Sequence, residues 1–230
     1  MDVRVAVDAT GAADAAARFV ARRLRDAVRR RGRASVAVSG GSTPAAMFDV
    51  LATLEVPWPA VTVFQVDERV ASDGDLDRNA VQLAHHLTDV VPLRAEQVRW
   101  MPVTALDLRR AAKRYAAFVA AAAPLDVVHL GLGDDGHTAS WPPGDPVIDS
   151  SLVVELCGEF NGRRRMTLTP GPVNGARCRV VLAAGASKRS MVERLLAGDG
   201  SIPIARVRRA GTFLFVDRAA APDAPVAADR

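Results

Sequence analysis

The chain has 230 residues, 49% of them hydrophobic and 24% charged, which suits one α/β domain over residues 1–230 with a sizeable core. The formal charge of +4 does not argue for nucleic acid: all but two of the 30 basic residues are arginine, and they are dispersed among acids. The most apolar window, 115–133, is broken by Pro124 and Asp126, which excludes a membrane span.

Taken in chain order, strands are predicted near 3–7, 34–38, 61–66, 126–131, 151–156, 178–183 and 211–216. Helices are predicted near 11–31, 44–54, 78–89, 104–123 and 187–197. This alternation is that of an α/β protein, a mostly parallel, doubly wound sheet covered by helices. The first helix carries the densest basic group, Arg22, Arg23, Arg25, Arg29, Arg30, Arg31 and Arg33. Phe19, Val20 and Leu24 accompany it, so the arginines are read as a solvated face, with no nucleic-acid motif beside them. The tail 219–230 is expected to fray. Cys157 and Cys178 are too few for a disulfide framework, and Met1-Asp2-Val3-Arg4 has no signal-peptide core, so a cytoplasmic location is expected.

Four of these strands end in loops that carry chemistry, and right-handed crossovers place those ends on one rim of the sheet. The first loop is Ser39-Gly40-Gly41-Ser42-Thr43-Pro44. Thr43 suits an N-cap and Pro44 the first helical position, leaving the Gly40, Gly41 and Ser42 amides free to cradle a phosphate. The spacing of a nucleoside triphosphate-binding loop is absent. The second loop, Asp67-Glu68-Arg69, is equally consistent with a surface ion pair and with a polar pocket clamped by Arg69.

The third loop, Gly131-Leu132-Gly133-Asp134-Asp135-Gly136-His137-Thr138-Ala139-Ser140, holds two carboxylates, an imidazole and two hydroxyls. Its G-x-G-x-x-G spacing imitates a dinucleotide fingerprint. However, Pro142 and Pro143 cut off the helix that motif requires, and Asp134 and Asp135 would repel a pyrophosphate. Imidazoles titrate near neutrality, which suits His137 to acid–base work. His85 and His86 are read as helix-surface residues and His129 as strand interior. No histidine or cysteine pair has metal-ligand spacing, so no zinc site is expected, and with the dinucleotide fingerprint broken no nicotinamide or flavin cofactor is expected either. The fourth loop, Gly185-Ala186-Ser187-Lys188, places a cation at a predicted helix start, where it opposes the dipole; this is consistent with a solvated lysine and with a contact to a bound anion, which would reverse the penalty.

These segments resemble the 6-phosphogluconolactonases of the glucosamine-6-phosphate isomerase/lactonase superfamily, in register over most of the chain. The likeness rests on Ser39–Pro44, Val66-Asp67-Glu68-Arg69, Asn79, the Asp135-Gly136-His137-Thr138-Ala139-Ser140 block, Arg165-x-Thr167-x-Thr169 and Gly185-x-x-Lys188. Asp134, Arg78 and Trp141-Pro142-Pro143-Gly144 depart from the usual pattern. The resemblance implies a three-layer αβα, NagB-like fold, as monomer or homodimer, acting on a phosphorylated sugar lactone without metal. It implies His137 as the base that activates water, Asp135 as the group orienting it, and Arg69 on the developing oxyanion or the ligand. It implies contacts to substrate from Gly40, Gly41, Ser42, Thr43, Asp67, Glu68, Asn79, Gly136, Thr138, Ser140, Arg165 and Lys188, with phosphate among Gly41, Ser42, Thr43, Arg165 and Lys188. Arg163 and Arg164 are read as solvated loop. The sibling deaminase pattern, a tyrosine after the Asp-Glu pair and Phe-Asn-Glu after the histidine, is absent.

Overall fold

The computed structural model describes residues 1–223 and every side chain among them except that of Ser42. The elements in chain order are β1 (Asp2–Ala6), α1 (Ala9–Arg31), β2 (Ala34–Val38), α2 (Ser42–Thr53), β3 (Val61–Gln65), β4 (Asp67–Arg69), α3 (Asn79–Leu83) and β5 (Val98–Arg99). There follow α4 (Leu108–Ala122), β6 (Val127–Gly131), β7 (Val154–Phe160), β8 (Arg163–Leu168), α5 (Pro170–Gly175), β9 (Arg179–Ala183), α6 (Arg189–Leu196) and β10 (Thr212–Asp217).

Local chemistry explains the helix ends. Asp8 accepts from the Gly11 amide at 2.8 Å, so α1 starts at Ala9, slightly earlier than predicted. Arg29, Arg30 and Arg31 oppose its negative end, and Gly32, at φ 70°, stops it.

Seven strands form one parallel sheet in the order β1-β10-β9-β6-β2-β3-β5. Side chains alternate across it, as the two-residue period of a strand requires. Val36, Val63, Val180 and Leu182 pack with α1 and α2 in one core. Ala37, Phe64, Leu130 and Val181 join Tyr115 and Val119 of α4 and Val192 and Leu195 of α6 in the other. The result is the expected three-layer αβα sandwich. The strands feeding the four loops, β9, β6, β2 and β3, are neighbours, so their carboxyl ends converge.

Three expectations need correction. The strand predicted at 151–156 begins at Val154 and does not join the main sheet; β7 pairs antiparallel with β8, and β8 with β4, in a second sheet of three strands. Arg163 and Arg164 are accordingly in β8, not in a solvated loop. The cause is Asn161-Gly162, at φ 52° and 71°, a two-residue turn that folds the chain back. Arg163 is bonded at 3.1 Å to both Asp75 and Asp77, while Met166 and Leu168 point into the core. Lastly, the start of the tail does not fray. Ala220 and Ala221 are buried and the Ala220 amide donates to Asp217 at 2.8 Å, while 224–230 lie outside the described residues. Among the described residues no helix is long and apolar enough to cross a membrane.

Candidate active site

A cleft of about 230 Å³ opens where the four strand ends meet. Its wall brings together Gly40, Gly41 and Thr43 after β2, Asp67 and Arg69 of β4, and His137 after β6. Asn79, Thr138, Arg165 and Lys188 also line it. Residues as distant in sequence as Ser39 and Lys188 thus face one space.

The His137 loop is tightly specified. The Gly133 amide donates to His137 O at 2.8 Å and the Gly136 amide to Gly133 O at 3.0 Å. Gly133 also leaves room for the imidazole: a Cβ there would sit 2.0 Å from His137 Nδ1. Asp135 Oδ1 accepts from the His137 amide at 3.0 Å and lies 2.5 Å from Nδ1. Burial alone would raise the Asp135 carboxyl, but the amide and imidazole of His137 outweigh it and hold it below the ordinary carboxylate value. An ionised carboxylate only accepts, so Nδ1 carries a proton, and in the neutral ring the free lone pair is then on Nε2. The Phe160 ring stands edge-on to the imidazole, centroids 5.0 Å apart.

The β3–β4 corner is organised around Glu68, which is fully buried. Its two oxygens accept from the Arg69, Asn79 and Ala80 amides and from Gln65 Nε2, each at 2.8 Å. Asn79 then donates to Asp67 O at 2.8 Å and accepts from Arg69 Nη1, while Arg69 Nη1 also reaches Asp77 O at 2.8 Å. Asp67 is held by Ser140 Oγ at 2.7 Å. Arg165 lies opposite Arg69 in the β4–β8 pairing, with its guanidinium on the Phe160 ring. Burial lowers the Arg165 pKa, with Asp67 opposing.

The expected contact residues therefore divide. His137, Arg69, Gly40, Gly41, Thr43, Asp67, Asn79, Thr138, Arg165 and Lys188 line the cleft, and Asp135 sits behind the imidazole. Glu68, Gly136 and Ser140 do not line it. Glu68 is consumed by its four donors. Ser140 is buried against Asp67. Gly136, at φ 84°, serves the turn and packs on Ile202.

The phosphate turn is also revised. Helix α2 begins at Ser42, with Gly41 as cap at φ 121° and no side-chain cap, so Thr43 is inside the helix. The Gly41 amide is already given to Gln82 Oε1 at 2.9 Å, and Gly40 is required because a Cβ would overlap Asn79. Lys188 ends a short turn before α6, with its ammonium 2.6 Å from Asp134. Sequence reasoning missed Phe160, Gln82 and the Asp134 partner. Among the described residues no group of three His, Cys, Asp or Glu could hold a metal ion.

The model of the glucosamine-6-phosphate isomerases/6-phosphogluconolactonase family matches residues 7–215. The chain belongs to that family. It is 36% identical to a 6-phosphogluconolactonase from Rhizobium meliloti, over 89% of this chain and 92% of the relative. It is 34% identical to one from Synechocystis sp., over 78% of each. Among solved structures, a 6-phosphogluconolactonase from Shewanella baltica superposes with TM-score 0.84 at 25% identity, covering 94% and 97% of the two chains. A monomeric glucosamine-6-phosphate deaminase superposes equally well, TM-score 0.85 at 20% identity over 96% and 98%, so the fold alone does not choose between the two chemistries.

Proposed function

We propose that the protein is a cytoplasmic 6-phosphogluconolactonase, which hydrolyses 6-phospho-D-glucono-1,5-lactone to 6-phosphogluconate in the oxidative pentose phosphate route. The observation that carries the proposal is the shared cleft, lined by an imidazole that a carboxylate orients, by cations and by a helix N-terminus. The names of the curated relatives agree with it. Arg69, rather than tyrosine, after the Asp-Glu pair separates the chain from the deaminase pattern.

In this mechanism Asp135 fixes the ring, and His137 Nε2 takes a proton from water as its oxygen bonds to the lactone carbonyl carbon. Negative charge gathers on the carbonyl oxygen, where Arg69 stabilises it. As the intermediate collapses, the bond from carbon to ring oxygen breaks and the imidazolium returns its proton to that oxygen. The new carboxylic acid ionises and releases one proton to solvent. Phosphate is held by the uncapped Ser42 and Thr43 amides with Lys188 and Arg165, while Asp67 and Asn79 face the sugar hydroxyls.

A pH-indicator assay on freshly made phosphorylated lactone tests this. The expected result is acid release well above the spontaneous rate, with no ammonia formed from glucosamine 6-phosphate. Ammonia production, or lactone loss only at the spontaneous rate, contradicts it.

A further inference from the structure

One of the cations lining the cleft, Lys188, already has a partner. Lys188 Nζ lies 2.6 Å from Asp134 Oδ1, which also accepts from Ser187 Oγ at 3.2 Å. Lys188 lines the cleft and its side chain is 20% exposed; Asp134 does not line it and is 68% exposed. Lys188 and Ser187 hold the Asp134 carboxyl below its ordinary value, so it is a full negative charge at neutral pH. An arriving phosphate dianion meets an ammonium whose nearest neighbour is another anion.

We propose, on the reading of this cleft as a phosphosugar site, that Asp134 is a specificity-determining counter-ion. It covers the Lys188 ammonium in the empty site, yields it to the phosphate group, and recovers it as product leaves. Exchange is cheap because the Asp134 end of the pair is largely open to water, where an ion pair contributes little. It needs only a side-chain rotation, since the turn that carries Asp134 is pinned by backbone hydrogen bonds from the Gly133 amide to His137 O and from the Gly136 amide to Gly133 O. The effect falls on phosphate binding in substrate and product alike, and so on KM and product inhibition rather than on the chemical step. Product carries one more negative charge than the lactone. A site gripping its phosphate at full strength would be more strongly inhibited by product, and Asp134 weakens that grip.

The test is Asp134→Asn, with Asp134→Ala as a second variant. Removing the carboxylate lowers KM for the phosphorylated lactone and the inhibition constant of 6-phosphogluconate by about three- to fivefold, the scale of one exposed charge pair. Turnover number stays within about twofold, and KM for unphosphorylated gluconolactone does not move. In a Lys188→Met background the same substitution has no effect. Titration with inorganic phosphate gives a readout independent of lactone chemistry: the variants bind it more tightly than wild type. Weaker or unchanged phosphate binding in both variants overturns the proposal, since Asp134 would then merely brace Lys188. Tighter phosphate binding in a protein with no lactonase activity would retain the counter-ion and reject the function.

Discussion

Glu68→Gln and Glu68→Ala together test how the acidic corner works. Four N–H groups point at this carboxylate from 2.8 Å, three of them backbone amides, and Arg78 Nε adds charge at 3.7 Å. Each buried donor left unpaired costs about 1–3 kcal/mol. The start of α3 can take up water, so the Ala variant is expected to lose roughly 3–5 kcal/mol, the scale seen when a buried charged pair is broken. For a chain of this size that is roughly a 10 °C drop in Tm. In the Gln variant one acceptor becomes an NH2 turned against an amide, with a smaller loss of about 1–3 kcal/mol. Activity falls in both because Asn79 and Arg69 lose their anchor, and small misplacements of such groups reduce turnover by about tenfold or more. Urea unfolding with steady-state kinetics on the same preparations reads both quantities. A Gln variant as stable and active as wild type would refute the scaffold role. Unchanged stability with a raised KM would mean that Glu68 touches substrate.

Gly133→Ala introduces a Cβ where the imidazole stands, 2.0 Å from Nδ1 and 2.7 Å from Asp135 Oδ1. Turnover should fall by about tenfold or more with the far-UV circular dichroism unchanged, because the ring rather than the backbone must move. His129 is buried with neither ring nitrogen bonded among the described residues, and burial lowers its pKa to about 3. Its neutral form is favoured by folding, so the stability it contributes is complete above pH 6.5 and declines as pH falls toward 3, by about 1.4 kcal/mol per unit. His129→Leu should therefore flatten the acid limb of a urea-midpoint-against-pH curve; an unchanged slope between pH 6.5 and 5 would contradict the buried neutral ring.

Much of the site was legible because its parts are short-range in sequence. The Gly131–Ser140 loop declares itself by composition, and strand–loop alternation predicts convergence once a parallel sheet is assumed. The antiparallel sheet was missed because β8 opens on three arginines, which resemble solvated loop, although Asn161-Gly162 was a hairpin signal. The edge strand β5, two residues long, is too short to display alternation. Glu68 and Ser140 look like ligand contacts in sequence. Only tertiary packing reveals that their oxygens already have partners. The Asp134–Lys188 pair spans 54 positions, and no local pattern announces it.

The most direct measurement is His137→Ala turnover alongside its dissociation constant for 6-phosphogluconate. A base worth about 10²–10⁴-fold should disappear from kcat while product binding stays within a few-fold. Wild-type turnover in the variant, or binding lost in proportion to rate, would show that the imidazole is not the group that activates water.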